Sequence, residues 1–543
     1  MRDWKALLTQ FDPEAAARYR EAGWWRDRLL VEYVEDVAAE AADRTAVIDA
    51  RGEITYGELG DQAEALASGL TRLGVTPGAV VSAQLPNWHE AVVLAVACSQ
   101  LGAVLNTISP IFRERDIATM LRLAEPTVLI VPDAFNGFDH AAAVLRVLPA
   151  LARTPSVAVI GAAPEGTVRW TDLLAGPAVD LPARPHPDDV AQLAFTSGTT
   201  GEPKGVLHTH NTLIASASSY DERYEIGPED VIHMASTVGH QTGILFGITC
   251  PIVAGSAAVL QQSWNPVQFV ELVEKHRISL TNGAIPFLTD TLHADNLDGQ
   301  DMSSLRVFSC IGAGLPQALA EEAGRRLPTT KLVGGWGMTE TGLAVTNLLT
   351  DTLETVCTVD GRPVPGAELR ILDEMFVEDL PAGSEGHLVV RGPQRHLGFL
   401  QPGLSQANFL EGDWYVTGDR GYLTEAGDFV MTTRSKDIIV RGGENIPVAE
   451  VENLLLAHPS VAMVAVVAVP DERLGEKACA CVRLEPGASF DFAGMEAWLR
   501  DHQLTKQFWP EYLKVLEGFP TTPSGKIQKF VLRDRMVSEV TAS

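Results

Sequence analysis

The stretch from residue 195 to residue 205 constrains this chain more than any other. It is rich in glycine and hydroxyl residues and lies between two apolar segments. Glycine lets backbone N–H groups come close to an anion, and hydroxyl and lysine side chains add hydrogen bonds and charge, so the loop is suited to binding phosphate. The candidate residues are Thr196, Ser197, Gly198, Thr199, Thr200, Gly201 and Lys204. Lys204 is followed by glycine, which does not fit the usual P-loop, and a solvated turn between strands has the same composition.

Length and charge narrow the class of protein. A single core rarely grows past about 300 residues, so a chain of 543 residues is expected to hold more than one domain. The net charge of −28 disfavours nucleic acid or an anionic membrane as the main partner. The N-terminus has charges throughout, so no signal peptide is predicted and a cytoplasmic location is expected. The six cysteines lie in apolar surroundings and are expected to be reduced core residues.

Apolar strands alternate with helices through most of the chain, which predicts an α/β fold with open sheets covered on both faces. One helix start is clearly marked, because Thr55 and Glu58 form a capping-box pattern before an amphipathic run. Residues 161–189 are rich in alanine, proline and glycine and are predicted to be a surface connection. From about residue 355 short β-runs predict a small β-rich subdomain, and a compact α+β domain follows the boundary placed near 434–437.

Four more polar, glycine-rich stretches stand where a plain core does not require them. They cover residues 334–340, 415–420, 441–447 and 520–527. Each alone is a weak indication of function. Together with the loop at 195–205, and in this order, they resemble the adenylate-forming (ANL) superfamily over nearly the whole chain. Within it the sequence is most similar to the acyl/aryl-CoA ligase branch, to enzymes such as cyclohexanecarboxylate–CoA ligase.

The resemblance implies both a fold and a reaction. It implies an N-terminal domain over residues 1–434, made of two doubly wound α/β subdomains and a small β-rich subdomain. A small mobile α+β domain over residues 435–543 follows, with the hinge at Lys436. In the family reaction a carboxylate attacks the α-phosphate of ATP with Mg²⁺, giving acyl-AMP and pyrophosphate, and a thiol such as that of CoA then takes the acyl group. The C-terminal domain rotates between the steps, and Gly442 and Gly443 would line the thiol tunnel.

The resemblance also implies roles for single residues, because a reaction between two anions requires charge neutralisation. Lys204 would support the phosphates, Glu340 would bind Mg²⁺, and Thr339 would lie near the α-phosphate. Asp419 would accept the ribose hydroxyls, and Lys526 would bridge the carboxylate and the α-phosphate. The catalytic set is Lys526, Lys204, Thr339, Glu340 and His240. The nucleotide set adds to the loop residues Gly312, Ala313, Gly314, Gly335, Trp336, Gly337, Met338, Asp419 and Arg434.

Two sets of positions leave alternatives open. Trp336 either lies against adenine or is a packed core tryptophan. His240 matches the gate beside the carboxylate, and Gln241 stands where amino-acid-activating relatives have aspartate, which favours a plain carboxylic acid. The wall candidates are His240, Gln241, Ile285, Phe287, Ile311, Gly314 and Met338. The small residues at 312–314 leave room for a flat ring or a medium chain, so an aryl, alicyclic or medium-chain acid is expected.

The leading hypothesis is an ATP-dependent acid–CoA ligase acting on a small carboxylic acid, with the oligomeric state undetermined. A rival with the same chemistry delivers the acyl group to the phosphopantetheine of a separate carrier protein. Another is a repurposed relative, such as an ATP-dependent diazotase acting on an aminoaryl acid with nitrite. A catalytically silent nucleotide-binding protein is disfavoured, because Lys204, Glu340, Asp419 and Lys526 are all present.

Overall fold

A central run of parallel strands with antiparallel edges builds the first sheet. The structure, a computed structural model, describes residues 2–196, 203–311, 314–434, 439–441, 444–446, 448–471, 475–502, 504, 506–522 and 526–541. Across the first sheet the strands follow the order Arg362–Pro363, Gly342–Thr346, Lys331–Met338, Val307–Ile311, Leu280–Gly283, Val231–Met234, Ala257–Leu260, Thr45–Asp49 and Gly52–Thr55. The strands from Lys331–Met338 to Thr45–Asp49 are parallel.

The second sheet is also mainly parallel and ends in an antiparallel hairpin. Its order is Gly398–Phe399, Lys204–Thr209, Val190–Thr196, Val104–Thr107, Val80–Ala83, Val128–Pro132, Ser156–Ile160 and Val168–Arg169. Val190–Thr196 and Lys204–Thr209 pair antiparallel, with Thr196 opposite Lys204. The hairpin places the base of the glycine loop at the carboxyl end of the parallel strand Val190–Thr196, where ligands bind in open α/β sheets.

Two smaller sheets follow. The third is antiparallel, with the order Glu368–Leu372, Gly386–Arg391, Trp414–Leu423 and Phe409–Leu410, and with Phe429–Arg434 paired to Trp414–Leu423. The fourth has the order Glu444–Ile446, Ile439–Arg441, Gly475–Leu484 and Val461–Asp471, with Tyr512–Val515 parallel to Gly475–Leu484. The third sheet thus ends at residue 434 and the fourth begins at residue 439. The domain division at 434/435 and the hinge at Lys436 remain predictions, and residue 436 lies outside the described residues.

The helices cover the sheets. The α-helices are Trp4–Leu7, Pro13–Glu21, Leu30–Ala41, Tyr56–Arg72, His89–Leu101, Glu114–Ala124, His140–Val147, Trp170–Ala175, His210–Arg223, Gln241–Ile244, Cys250–Ala254, Pro266–His276, Ile285–Leu292, Gln317–Arg326, Leu353–Thr358, Pro402–Asn408, Val448–Leu456, Phe492–Asp501 and Lys529–Thr541. A π-helix, Leu245–Thr249, continues Gln241–Ile244 into Cys250–Ala254. Within the described ranges, no helix combines the length and apolar character that crossing a membrane requires.

The predicted capping box begins a core helix. The Thr55 side chain accepts from the backbone N–H of Glu58, and the Glu58 carboxylate accepts from the N–H of Thr55. Helix His89–Leu101 is buried almost all round, since it is apolar on every side and packs against helices Leu30–Ala41 and Tyr56–Arg72. The α/β fold with a large N-terminal and a small C-terminal domain is confirmed. All six cysteines are free thiols, and only Cys357 is not fully buried.

The predicted surface connection over residues 161–189 contains two short elements that the sequence did not indicate. Strand Val168–Arg169 joins the edge of the second sheet, and helix Trp170–Ala175 follows it. Trp170 and Leu173 are buried, and a side chain at Gly69 would come within 2.6 Å of the Leu173 carbonyl. Two apolar residues anchor this short helix, which is too short to show a helical periodicity in the sequence.

Candidate active site

The predicted site residues Thr339 and Glu340 lie in the tight turn that joins strands Lys331–Met338 and Gly342–Thr346. The N–H of Thr341 closes this turn by donating to the Met338 carbonyl at 3.1 Å. Both Thr339 and Glu340 are mostly buried. The preceding Gly337 cannot be larger, because a Cβ there would lie 2.4 Å from the Gly342 carbonyl oxygen. The tight backbone of this turn therefore fixes the position of the Glu340 Cα, from which the side chain extends.

Two buried histidines hold the turn by its carbonyl groups. Nε2 of His208 donates to the Thr339 carbonyl at 2.7 Å, and Nδ1 of His396 donates to the Glu340 carbonyl at 2.8 Å. The backbone N–H of His396 donates to the same Glu340 carbonyl at 2.8 Å. Burial lowers the pKa of His208 to about 4 and lowers the pKa of His396 well below its usual range. Both rings are thus neutral near pH 7, so they position the turn without adding positive charge.

The Glu340 carboxylate itself has a hydrogen-bond partner in the third sheet. The hydroxyl of Tyr415 donates to the carboxylate of Glu340. Burial and the negative charge of Glu340 raise the pKa of Tyr415 well above its usual range, so the phenol keeps its proton. The only group of three metal-binding side chains within the described residues, Asp49, His89 and Glu90, is separate from this turn, and Glu90 there pairs with Arg51 at 3.0 Å.

The predicted ribose carboxylate, Asp419, lies on strand Trp414–Leu423 opposite Arg434 of the neighbouring strand. Nε1 of Trp336 donates to its carboxylate at 2.8 Å. Trp336 is 4% exposed and packs edge-on against Phe429 with ring centroids 6.0 Å apart. This placement favours the packed-core alternative for Trp336 over a ring lying against adenine. Trp336 would then act on the nucleotide site by orienting the Asp419 carboxylate.

A second carboxyl group, which the sequence did not indicate, lies near Asp419. Asp360 accepts from the backbone N–H of Met431 at 2.7 Å. Burial and the negative charge of Asp419 together raise the pKa of Asp360 to about 6, and the hydrogen bond from the Met431 N–H keeps it from rising more. The side chain keeps some contact with water, so the stability effect of this shift is smaller than full burial would give.

The base of the phosphate-loop hairpin is also held in place. Gln401 accepts from the N–H of Gly205 at 3.1 Å and donates to the Pro203 carbonyl at 2.9 Å. Thr196 and Lys204 face each other across the hairpin and are both half-buried. The predicted phosphate ligands Ser197, Gly198, Thr199, Thr200 and Gly201 lie outside the described residues, and so do Gly312, Ala313, Gly442 and Gly443. The side chain of Arg434 is also outside the described atoms, and its role remains a prediction.

His240 lies at the start of helix Gln241–Ile244, and its Nδ1 accepts from the N–H of Thr242 at 3.3 Å. His240 is exposed, although protein surrounds it at longer range. Burial, together with the positive charge of Lys526, lowers the pKa of His240 to about 4. Two predicted catalytic residues that are 286 positions apart in the sequence are therefore close enough to interact through their charges.

The predicted acyl-pocket residues do not all lie together. Ile311 packs against the core that contains helix His89–Leu101, whereas Ile285 and Phe287 pack against the core on the other side of the first sheet. The Phe287 ring stacks on Trp264 with centroids 4.2 Å apart. Further members also differ in surroundings: Gln241 is buried, Gly314 is exposed and Met338 is half-buried against Trp336 and Tyr415. Gly335, which is predicted to bind the nucleotide, is buried within its strand.

Comparison with known proteins identifies the family. The family model described as AMP-binding enzyme matches residues 34–400, and the one described as AMP-binding enzyme C-terminal domain matches residues 450–526. The chain therefore belongs to the AMP-binding enzyme family, and by class it is an AMP-forming acid–thiol ligase.

Individual relatives match the chain over nearly its whole length. It is 35% identical to the medium-chain fatty-acid–CoA ligase of Escherichia coli (strain K12), over 99% of this chain and 95% of that enzyme. It is 32% identical to the 2,3-dihydroxybenzoate–AMP ligase of Bacillus subtilis (strain 168), over 98% of each chain. Among solved structures, the anthranilate CoA ligase AuaEII in complex with anthranoyl-AMP has the same fold, with a TM-score of 0.87 over 95% of this chain and 98% of that one at 23% identity.

The first prediction concerns the charge interaction between His240 and Lys526. Replacing Lys526 by alanine is expected to raise the pKa of His240, because a neighbouring positive charge no longer opposes protonation. NMR of protein labelled with ¹³C at histidine Cε1 measures this pKa, with the resonance assigned by His240→Gln. Lys529→Ala is the control, since Lys529 pairs with Glu452 at 2.8 Å instead. An unchanged His240 pKa in Lys526→Ala would contradict the proximity.

The second prediction concerns Asp360. Its folded pKa of about 6 exceeds the ordinary 3.8, so folding binds a proton between these values and stability falls as pH rises from about 4 to about 6. Asp360→Asn keeps an acceptor for the Met431 N–H and is expected to stabilise the protein at pH 8 by roughly 1–2 kcal/mol, with little effect at pH 4.

Thermal melting midpoints at both pH values measure this difference. The exposed Asp501→Asn variant serves as the control and should melt like the parent protein throughout. A stabilisation by Asp360→Asn that is equal at pH 4 and pH 8 would show that ionisation of Asp360 does not cause it.

Proposed function

We propose that this protein is an ATP-dependent carboxylic acid–CoA ligase that activates an aryl, alicyclic or medium-chain acid as acyl-AMP and transfers the acyl group to the CoA thiol. The observation that carries this proposal is the match, over nearly the whole chain, to a medium-chain fatty-acid–CoA ligase and a 2,3-dihydroxybenzoate–AMP ligase. The positive charge of Lys526 also helps to lower the pKa of His240, so the lysine expected to bridge carboxylate and α-phosphate lies within electrostatic range of the residue expected beside the acid. This is the arrangement that the adenylation step requires, because both anions must meet at one positive charge.

Four groups of this chain would serve the first half-reaction. The Lys526 ammonium would hold the substrate carboxylate near the α-phosphate and offset the repulsion between the two anions. Lys204 and the loop that follows Thr196 would bind the phosphates of the departing pyrophosphate. The carboxylate of Asp419 has about four lone-pair sites, so it can accept from Trp336 and from ribose hydroxyls. His240, neutral near pH 7, would border the acid without adding another charge.

The Thr339–Glu340 turn fits a magnesium site. Its carboxylate and hydroxyl oxygens are the ligand type that Mg²⁺ takes, together with waters and substrate phosphates. Tyr415 and His396 fix the carboxylate and the backbone of Glu340, so the ligand would be oriented before the ion binds. When bound there, Mg²⁺ would neutralise phosphate charge.

CoA as the acceptor and the range of acids are supported by the relatives rather than by the geometry. The Escherichia coli relative is named as a medium-chain fatty-acid–CoA ligase and the Bacillus subtilis relative as an aryl-acid–AMP ligase. Gln241, in place of an acidic residue, leaves no carboxylate at that position to pair with a substrate amine, which favours a plain acid.

The third prediction tests the activity. Pyrophosphate release with ATP and Mg²⁺ is expected to depend on added acid across a panel of aryl, alicyclic and medium-chain acids. Lys526→Ala should lower this release by about 10²-fold or more, because the carboxylate and α-phosphate then repel each other without compensation. Lys514→Ala, which removes a surface partner of Glu539, is the control and should retain the parent rate.

The acceptor is tested by mass spectrometry of the products with CoA and, separately, with a phosphopantetheinylated carrier protein. An acyl-CoA product supports the proposal, and acylation of the carrier alone would replace CoA with a carrier as the acceptor. A panel in which no acid releases pyrophosphate would overturn the ligase proposal.

A further inference from the structure

A buried cavity lies between helix His89–Leu101, helix His210–Arg223 and the helical segment that runs from Gln241 to Ala254. Its volume, measured as the space open to water centres, is about 40 Å³. At about 10–15 Å³ for one water, it is larger than one water needs, and a longer chain would require the passage to widen. Its walls are mainly apolar, and the polar side chains that line it belong to Ser99, Gln192, His210 and Thr249.

Two of these polar side chains are buried without satisfied hydrogen bonds. Gln192 is 2% exposed and His210 is 4% exposed. Both amide atoms of Gln192 and Nε2 of His210 lack a partner among the described residues. In contrast, the Ser99 hydroxyl accepts from the Val31 N–H, and the Thr249 hydroxyl donates to the Ile244 carbonyl. A buried unsatisfied polar group costs about 1–3 kcal/mol, so Gln192 and His210 point to a polar group that binds in the cavity.

A second cavity borders the first along helix His89–Leu101. This narrower cavity of about 10 Å³ is lined by Ala91, Leu94, Val238 and Gly239, and Leu105 borders both cavities. On helix His89–Leu101, Ala91 and Leu94 face the narrow cavity, and Ala95 and Cys98 on the next turn face the wide one. Gly239 directly precedes His240. A straight line through these two neighbouring cavities would begin beside the gate residue and end at Gln192 and His210.

Opposite helix His89–Leu101, the wall of the wider cavity belongs to the irregular part of the helical segment from Gln241 to Ala254. Ile248 and Thr249 belong to the π-helix Leu245–Thr249 and line the wider cavity. Such π-turns are rare in proteins and are frequent at functional sites. A local change in winding here would widen the passage without disturbing the sheet, because the π-helix lies between two short α-helices, Gln241–Ile244 and Cys250–Ala254.

Charge and width limit what the cavity can take. The described residues that line it include no Lys or Arg, and burial lowers the pKa of His210 to about 4, so its ring is neutral near pH 7. A second carboxylate would be buried without a countercharge and is disfavoured. A hydroxyl or carbonyl suits the unsatisfied groups, since Gln192 offers both a donor and an acceptor. The narrow segment favours an unbranched chain over a ring.

We propose that the acid is an unbranched medium-chain carboxylic acid whose far end bears a neutral hydroxyl or oxo group, which binds Gln192 and His210. This inference rests on the proposed ligase function and selects the medium-chain option within it. From Ala91 to Ser99 the helix rises about 12 Å. An extended chain advances about 1.2 Å per bond, so the line corresponds to a chain of about ten bonds.

The experiment compares matched acids in the pyrophosphate assay. Unbranched acids of 4 to about 12 carbons are paired with counterparts that bear a terminal hydroxyl, and kcat/KM is measured for each. The parent protein is expected to prefer the hydroxy acid by about tenfold or more at one medium chain length, and to show no preference at four carbons, where the chain is too short to reach Gln192. Gln192→Met, of similar size, should abolish the preference for the hydroxy acid over the plain acid.

His210→Gln gives a second variant, in which a different acceptor and donor replace the imidazole, and the preference for the hydroxy acid should fall. If plain acids are activated and no hydroxy acid is preferred at any length, this inference is overturned and the ligase proposal stands. Equal losses on both members of a pair in Gln192→Met would make Gln192 a structural residue and also overturn it. If no acid in the panel releases pyrophosphate, both proposals fail.

Discussion

The hydrogen bonds from two neutral histidines to one tight turn are the constraint on which the candidate active site depends. His208 comes from the second sheet and His396 precedes a strand of the same sheet, yet both donate to carbonyls of Thr339 and Glu340 at the edge of the first sheet. A carbonyl held in this way fixes the backbone, and Tyr415 then fixes the carboxylate. Three separate parts of the fold are thereby locked around one acidic side chain, which is the preorganisation that electrostatic catalysis requires.

The residues expected to have chemical roles could be named from the sequence, but the residues that contact them could not. Glu340, Asp419 and Lys526 stand in polar, glycine-rich stretches that a core does not need, so the motifs mark them. His208 stands in an apolar strand, where a single histidine looks like any core residue, and Tyr415 opens the stretch 415–420, in which only Asp419 was expected to have a role. Their roles depend on contacts between strands far apart in the chain, and local patterns do not contain that information.

The fold, too, was predictable in its larger elements but not in its short ones. Alternating strands and helices predicted the α/β architecture, because each period of apolar residues specifies one buried face. Short elements such as Trp170–Ala175 were missed, since a single turn or two has no period to detect. The acid pocket remains a prediction. Phe287 stacks on Trp264, whereas Gln192 and His210, which lie outside the predicted set, line the cavity that we assign to the far end of the acid.

The central claim is that the substrate carboxylate attacks the α-phosphate of ATP at Lys526, beside His240. An acid labelled with ¹⁸O in its carboxylate tests this claim most directly, because the oxygen that forms the acyl–AMP bond stays with AMP when the thiol takes the acyl group. Mass spectrometry after complete turnover with ATP and CoA should find one ¹⁸O atom in AMP and none in pyrophosphate. Unlabelled AMP, or label in a released phosphate, would contradict the account.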